Sequence, residues 1–315
     1  MFANSTLVNE QSEYVDWGIG NLSDADFYVW LIYALIACIG LPGNILVIVC
    51  FLFSSHLRKW KESSKMSTYI ISLGIADFLT CINVTTLYVF GGLITKLINN
   101  NFTCKVFGSM YFYEGMAITS SWHIVMVALE RYLAICQPVY HRSSLTRRKI
   151  LGLIGICYFF GFGTTILHMP ILFHIDKDGI CTTSFFEMDV WIQKFQAITF
   201  LLVFALAPSC IIVPFYLKIV LKLRKAAKGT QISKASVTVV KTSLVVFFAF
   251  VVCNYPTAFF WMWDLCMENT IDFSGWLWQG LMILMSMSAC INPVIYAFSI
   301  PEFRKAIIKG LQLQF

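Results

Sequence analysis

The chain has 315 residues, of which 58% are hydrophobic and only 13% are charged, and its formal net charge is +6. Soluble domains carry about 25% charged residues, and a core of this size could not bury so much apolar surface with so few charged groups left to cover the outside. The composition therefore argues against a water-soluble enzyme and against a disordered chain, and it indicates a membrane protein.

Seven apolar runs are each long enough to cross a bilayer as a helix, which takes about 20 mainly apolar residues. The runs lie at 27–53, 67–95, 106–136, 150–173, 195–217, 243–263 and 277–300. They are continuous, unlike the alternating segments of about ten residues that build outer-membrane barrels. We therefore predict an all-α membrane protein: an N-terminal tail over 1–26, a seven-transmembrane helix bundle over 27–300, and an amphipathic eighth helix with a short cytoplasmic end over 301–315.

The basic residues are divided unequally between the two sides of these spans. The first 26 residues contain no lysine or arginine, whereas 19 of the 23 basic residues lie on the side that holds the C-terminus. Because positively charged loops stay in the cytoplasm, we predict a multi-pass protein of the plasma membrane with an extracellular N-terminus. Three glycosylation sequons, at Asn4, Asn21 and Asn101, fall on the predicted outside.

Four charged residues fall within the spans, where a charge is costly and marks a candidate functional site. They are Asp77, Glu114, Glu130 and Arg131. Asp77 in span two is either a structural acid held by hydrogen bonds or an ion or proton site in a wet cavity. Arg131 at the end of span three either extends to lipid phosphates or forms a switchable pair with Glu130.

Span seven contains the sequence Asn-Pro-Val-Ile-Tyr over 292–296. Pro293 cannot donate a backbone N–H, so it leaves a carbonyl free in the helix, which Asn292 or a water molecule can satisfy. We therefore predict a kink at this point, and with it a hinge.

Together these features resemble the rhodopsin-like family of G-protein-coupled receptors, over essentially the whole chain from span one onward. The motifs that carry the resemblance are, in chain order, Gly43-Asn44; Leu73, Ala76 and Asp77; Glu130-Arg131-Tyr132 with Pro138; Pro208 with Tyr216; Phe250, Cys253, Asn254, Tyr255 and Pro256; and Asn292, Pro293 and Tyr296 with Phe303.

The resemblance implies a disulfide between Cys104, at the outer end of span three, and Cys181 in the second outer loop. That bond would hold the loop across the mouth of a ligand pocket. The resemblance also implies a sodium site made by Asp77 and Ser120, with Ser288 as a further candidate. A water-filled hydrogen-bond network is the alternative interpretation of the same residues.

In this family, a ligand at the outer mouth favours a conformation in which helix six swings outward at its inner end. The resemblance assigns two sets of residues to that change. The activation switch and the contacts with a heterotrimeric G protein are assigned to Glu130, Arg131, Tyr132, Pro138, Val139, Tyr216, Asn292, Pro293 and Tyr296. Transmission through helices five and six is assigned to Pro208, Phe250, Asn254 and Pro256.

Two departures from the family pattern concern aromatic positions. Asn254 stands where the family usually has a tryptophan, and Tyr255 lies one position out of phase and does not simply replace it. Span four contains no tryptophan, so we expect Tyr158, Phe159 and Phe160 to fill that volume.

Two further departures concern helices three and six. Ser233 and Ser236 occupy the inner start of helix six, which offers no acid to Arg131. We therefore expect an easier activation and signalling without ligand. In addition, Cys104 and Arg131 are further apart in the sequence than the family usually shows.

The ligand is expected to be a basic peptide or an amine. The predicted outer mouth carries twelve acids against four basic residues, and this charge would attract a cation. Glu114 would pair with the cation, or would instead bond within its helix or to water. Thr257, Phe200 and Phe204 would line the pocket. Bound retinal needs a lysine in span seven, and 275–300 contains none, so no cofactor other than a sodium ion is expected.

A transporter or channel of a seven-helix type is the competing class. Transporters show repeated halves and charges at the membrane midplane, whereas this chain has no internal repeat and few charges in its spans. The sequence contains no nucleotide-binding motif and no nucleophile–base arrangement. We therefore expect no enzymatic activity and no nucleic-acid partner; the expected partners are an extracellular ligand, a heterotrimeric G protein and the lipid bilayer.

Overall fold

The computed structural model describes residues 24–53, 65–90, 100–108, 111–166, 173–177, 179, 181–183, 189–226, 234–267 and 275–312. The predicted glycosylation sites at Asn4 and Asn21 lie outside the described residues.

Helices account for most of the described chain. They are α1 (Asp24–Phe53), α2 (Lys65–Val84), α3 (Tyr111–Cys136), α4 (Arg147–Thr165), α5 (190–226), α6 (Lys234–Cys266), α7 (Trp276–Ser299) and α8 (Pro301–Gln312). A π-helical segment, Leu201–Leu206, interrupts α5. Two more, Thr85–Val89 and Cys104–Gly108, follow α2 and precede α3. A loop helix, Pro138–Ser144, follows α3.

The helices α1, α2, α5, α6 and α7 are long and apolar enough to cross a membrane, by length and composition. The other two predicted spans coincide with α3 and α4. Of these, α3 carries the polar residues Glu114, Glu130 and Arg131, and α4 begins with three basic residues. The architecture is the predicted seven-helix bundle, and α8 begins at Pro301, where the eighth helix was expected.

The prediction that span four extends to residue 173 is wrong. The helix α4 ends at Thr165, and Phe173 begins strand β1 (Phe173–Ile175), which pairs antiparallel with β2 (Cys181–Thr183). An apolar run does not by its composition distinguish a helix end from a short strand. Gly179 between the strands has φ 78°, a conformation that glycine adopts without steric cost.

Two of the three aromatic side chains expected to fill the interior of span four do so. The Phe160 ring stacks on Trp122 of α3 with centroids 4.2 Å apart. The Tyr158 ring meets His123 of α3 edge-on at 5.6 Å. The expectation is wrong for Phe159, which is 71% exposed on the outer surface of the bundle.

Two carbonyl oxygens of the π-helical segment of α5 accept hydrogen bonds from neighbouring helices. Pro208 has no N–H to donate to the carbonyl of Phe204, and the Ser121 hydroxyl of α3 donates to that oxygen instead, at 2.8 Å. The Tyr255 hydroxyl of α6 donates to the carbonyl of Ala205 at 2.7 Å. Such segments often occur at functional sites, and this one ties α5 to both α3 and α6.

Candidate functional site

A disulfide holds the hairpin end of the bundle, the end where β1 and β2 lie. Cys104 is bonded to Cys181 with their Cα atoms 5.5 Å apart, so the predicted disulfide is present. The backbone N–H of Ile175 in β1 also donates to the side-chain oxygen of Asn101, at 2.7 Å. The extra length between Cys104 and Arg131 coincides with a π-helical segment, whose turn holds more residues than an α-helical turn.

Aromatic side chains of α5 and α6 pack together near the hairpin end. The Phe200 ring centroid lies 4.9 Å from that of Phe204 and 5.2 Å from that of Trp261. Trp261 is only 8% exposed, and its indole N–H has no hydrogen-bond partner among the described residues. These rings therefore form an aromatic wall inside the bundle, with an indole N–H that can donate to a ligand.

Two carboxylates are buried at the same end of the bundle. Glu114 lies in the first turn of α3, and Asp264 lies one turn beyond Trp261 on α6; each acid is 9% exposed. The Thr257 hydroxyl, predicted to line the pocket, donates to the carbonyl of Leu281 on α7 at 3.0 Å and so joins α6 to α7. Buried carboxylates and aromatic rings at one end of a bundle are suited to binding a cationic group.

Asp77 lies inside the bundle at 2% exposure, and both of its carboxylate oxygens accept hydrogen bonds. Ser120 of α3 donates to one oxygen at 2.8 Å, and the Asn292 amide of α7 donates to the other at 2.8 Å. Ser288 instead donates to the carbonyl of Met285 in its own helix, at 2.7 Å. The structure therefore brings together three of the predicted residues, and the oxygens of Asp77 and Ser120 fit a hard cation such as sodium.

Phe250 of α6 connects the aromatic wall to the middle of the bundle. Its ring meets Phe204 edge-on, with centroids 5.6 Å apart. Asn254, at the position of the absent tryptophan, is 1% exposed and donates to the carbonyl of Phe250 at 2.9 Å. Pro256 lies within the same helix. Because the Asn254 amide bonds to its own helix, the side-chain links from α6 to α5 here are made by Phe250 and Tyr255.

At the loop-helix end, the opposite end of the bundle, Arg131 is paired with Glu130. Glu130 is 1% exposed and Arg131 is 5% exposed. A second partner was not predicted: His141 of the loop helix meets the other Glu130 oxygen through Nε2 at 2.8 Å. The Lys65 ammonium of α2 donates to the main-chain carbonyl of His141. The described part of α6 brings no acid to Arg131.

Tyr216 of α5 and Tyr296 of α7 are both buried at this end, at 5% and 4% exposure. The Tyr296 ring centroid lies 6.4 Å from that of Phe51 in α1 and 6.3 Å from that of Phe303 in α8. Tyr296 also borders a small cavity between α2, α3, α6 and α7. The other lining residues are Met66, Leu73, Ile124, Val127, Thr242, Ser243, Val246 and Ile300.

The residues predicted to meet a G protein differ in exposure. Pro138 starts the loop helix, a position that suits its missing N–H, and Val139 is 81% exposed. The Tyr132 ring instead stacks on Phe215 of α5 at 5.0 Å, and the Lys218 ammonium lies 5.6 Å from its centroid. The loop helix therefore offers apolar surface to a partner, whereas Tyr132 fixes α3 to α5.

Sequence reasoning did not single out His141 or the bond from Tyr255 to α5, and it placed Trp261 only among the aromatic residues that cluster at the outer mouth. Each of these contacts joins two elements that are separate in the chain. Helical spacing relates residues within one helix, so no signal in this single sequence could have found them.

The family profile described as 7 transmembrane receptor (rhodopsin family) matches residues 43–296. The match covers most of the chain, and this chain belongs to that family. It is therefore a G-protein-coupled receptor, which signals without catalysis. The predicted fold and receptor class are confirmed, and the transporter or channel alternative is not supported.

Three relatives show how widely the similarity extends. The chain is 26% identical over 295 residues to somatostatin receptor type 5 of Rattus norvegicus, covering 90% of this chain and 77% of the relative. It is 27% identical over 290 residues to the blue-sensitive opsin of Gallus gallus, covering 88% and 76%. It is 23% identical over 280 residues to chemerin-like receptor 2 of Mus musculus, covering 87% and 76%. Relatives with such different names all match at 23–27% identity, so the similarity defines the family and not the ligand.

Proposed function

We propose that this receptor is activated by a cationic ligand, a basic peptide or an amine, that binds at the hairpin end. The observation that carries the proposal is the pair of buried carboxylates, Glu114 and Asp264, at the end of the bundle where Phe200, Phe204 and Trp261 form an aromatic wall. A cation would be attracted by both carboxylates and by the faces of the rings. A somatostatin receptor among the relatives favours the peptide.

This ligand class is tested by screening basic peptides and amines on cells that express the receptor, followed by two variants. Glu114→Gln and Asp264→Asn should each raise the half-maximal concentration of a cationic agonist by at least about tenfold, because a charge-assisted hydrogen bond contributes about 1.5–3 kcal/mol. Glu302→Gln, which changes an exposed acid in α8, is the matched control. A screen in which no basic peptide or amine activates the receptor would rule out this ligand class, and unchanged potency in both pocket variants, at normal surface expression, would rule out the two carboxylates as partners of the cation.

At the loop-helix end, we infer that Arg131 leaves Glu130 on activation and forms the G-protein cavity together with Tyr216 and Tyr296. The hinge at Pro293 would let α7 move with that change. The Asn292 amide would keep the hinge tied to α2 through its bond to the Asp77 network.

The signal would travel along α5 and α6. Pro208 lies next to the π-helical segment and Pro256 within α6, so both helices have a backbone that can bend. Phe250 would move against Phe204, and Asn254 would leave room where the family has a bulky ring. The exposed Val139, after Pro138, would insert its side chain into an apolar pocket of the G protein.

The coupling mechanism is tested with Arg131→Ala. This variant should reach the cell surface but lose G-protein activation, because the buried guanidinium is the charged group released to the partner. Arg142→Ala, which removes an exposed base from the loop helix, should couple normally. Full activation by Arg131→Ala would contradict the mechanism.

We further propose a plasma-membrane location with the N-terminus and the hairpin end outside the cell, and glycans on Asn4, Asn21 and Asn101. The side-chain oxygen of Asn101 accepts a hydrogen bond, and its amide nitrogen remains the atom that a glycan would modify. An epitope tag at the N-terminus should be stained by antibody on intact cells. A tag visible only after permeabilisation would overturn this orientation.

A further inference from the structure

Glu130 lies between two side chains that can both carry positive charge. Arg131 pairs with one carboxylate oxygen and His141 with the other, at 2.8 Å. The Glu130 side chain is 1% exposed and that of His141 is 12% exposed. The carboxylate is therefore shared between α3 and the loop helix, away from most of the solvent.

The position of His141 is set by its backbone as well as by Glu130. Its main-chain carbonyl accepts a hydrogen bond from the Lys65 ammonium of α2, and its N–H donates to the carbonyl of Gln137 at 3.0 Å. The loop helix is thus tied to both α2 and α3, which holds the imidazole against Glu130.

The charged and titratable groups around Glu130 and His141 come from three elements. They are Glu130 and Arg131 of α3, Lys65 and Tyr69 of α2, and Arg142 of the loop helix itself. Histidine is the side chain that ordinarily changes charge between about pH 5 and pH 8. Among these described groups, the histidine is His141.

The charge on His141 decides what remains when Arg131 departs. A buried carboxylate left without a positive partner is costly. A protonated His141 competes with Arg131 for Glu130 and then neutralises the carboxylate that Arg131 leaves behind. A neutral imidazole carries no charge with which to compete with Arg131 or to neutralise Glu130. The pair of Glu130 and Arg131 therefore stays intact while His141 is neutral.

We propose that His141 is a positioning residue that acts through Glu130 on Arg131, so that protonation of the imidazole favours G-protein coupling. The proposal rests on the release of Arg131 proposed above. The released conformation binds the His141 proton more tightly, since Glu130 has lost its other partner. Proton binding at His141 and G-protein binding therefore strengthen each other, because linkage between two binding events is reciprocal. Cytoplasmic acidification promotes coupling, and a bound G protein makes His141 hold its proton more tightly.

The experiment measures the affinity of a purified heterotrimeric G protein for the receptor in nanodiscs, from about pH 8 to about pH 6. Wild type should bind about five- to tenfold more tightly at the acidic end, the low end of typical coupling between sites. The affinity of His141→Phe for the G protein should be low and independent of pH. The affinity of His141→Arg, with its fixed charge, should be high and independent of pH. His174→Phe in β1, at the other end of the bundle, should behave as wild type.

Each affinity is divided by that of His141→Phe at the same pH, which removes the pH response of the G protein itself. If His141→Phe is not recovered folded, His141→Asn, a neutral donor, takes its place with the same expectation. Equal pH profiles in wild type and the neutral variant would overturn the role of His141. Normal coupling by Arg131→Ala would instead overturn the underlying proposal about Arg131, so the two failures are distinguishable.

Discussion

Several buried polar side chains in this bundle are bonded to a neighbouring helix, as the absence of water from the hydrocarbon core requires. The Asn44 amide of α1 donates to the carbonyl of Ala289 on α7 at 2.8 Å. His123, with no exposed surface, meets the carbonyl of Thr119 through Nδ1 and the hydroxyl of Ser72 through Nε2, both at 2.8 Å. A carbonyl only accepts, so Nδ1 carries the proton and Nε2 accepts from Ser72. This bond joins α2 to α3.

The first prediction about a single residue concerns Asp77, which we expect to hold a stabilising sodium ion. A bound ion at ten times its dissociation constant would stabilise the folded receptor by about 1.4 kcal/mol, with the oxygens of Asp77 and Ser120 as ligands. Wild type should therefore unfold at a higher temperature in sodium chloride than in choline chloride of equal ionic strength. Asp77→Asn should lose that difference and Asp264→Asn should keep it. Equal unfolding temperatures in the two salts for wild type would favour the water network instead.

Single residues also show how far a sequence can predict a site. Glu130 and Arg131 are adjacent in the chain, and Asp77 and Asn292 each belong to a motif, so their importance was visible before their contacts were known. His141 was not visible, because it belongs to a short polar loop whose distance from α3 in space depends on the turn at Gln137. Its role at Glu130 emerges only when the loop helix is seen against α2.

At the scale of elements, the crossing of α3 and α4 depends on glycine. A Cβ at Gly161 would overlap Thr119 Oγ1 and the carbonyl oxygen of Gly115. Gly161→Ala should therefore lower the stability by about 1–3 kcal/mol, the usual cost of overpacking. Gly155→Ala lies on the same helix with no atom within 4 Å of the new methyl group, and it should be neutral or stabilising by up to about 1 kcal/mol.

Thermal unfolding of the two purified variants in detergent checks this prediction about α4. A Gly161→Ala receptor as stable as Gly155→Ala would mean that the two helices can separate at no cost, contrary to the close crossing.

A second prediction about the contacts between helices concerns the bond from Tyr255 to the π-helical segment of α5. Tyr255→Phe keeps the ring and removes the hydroxyl that donates to the carbonyl of Ala205, at a cost of about 0.5–1.5 kcal/mol. Because that bond holds α6 to α5 in the conformation where Arg131 is paired, the variant should show a lower unfolding temperature together with higher ligand-free coupling.

The matched control is Tyr28→Phe, a tyrosine of α1 that is 61% exposed. A merely structural loss would lower the stability and the coupling together. A fall in both for Tyr255→Phe would therefore reject the bond as a restraint on α6.

Elements differ in how well the sequence predicts them. The apolar runs of the sequence predicted the spanning helices, because every helix that crosses the lipid needs about 20 mainly apolar residues. The hairpin was missed because strands of three residues at 173–175 and 181–183 are defined by pairing with each other. The π-helical segments were missed for a similar reason: Leu201–Leu206 depends on donors that come from α3 and α6.

Over the whole molecule, the charge is divided between the two ends of the bundle. The sequence places 19 of the 23 basic residues on one side and twelve acids on the other, so the net charge of +6 describes neither face. A cationic ligand at one end and an anionic membrane surface at the other are both favoured by that separation. The few charges within the predicted spans, at Asp77, Glu114, Glu130 and Arg131, are the ones that can couple the two ends.

The last prediction concerns the balance between the two conformations of the entire bundle. Arg131 is held by Glu130 of its own helix, and over 234–266 the only acid is Asp264, at the hairpin end of α6. Without a bond from Arg131 to α6, signalling in the absence of ligand should rise in proportion to surface receptor. The measurement is the ligand-free signal at graded levels of surface expression, with several G proteins. A receptor that is silent with every G protein would contradict the prediction.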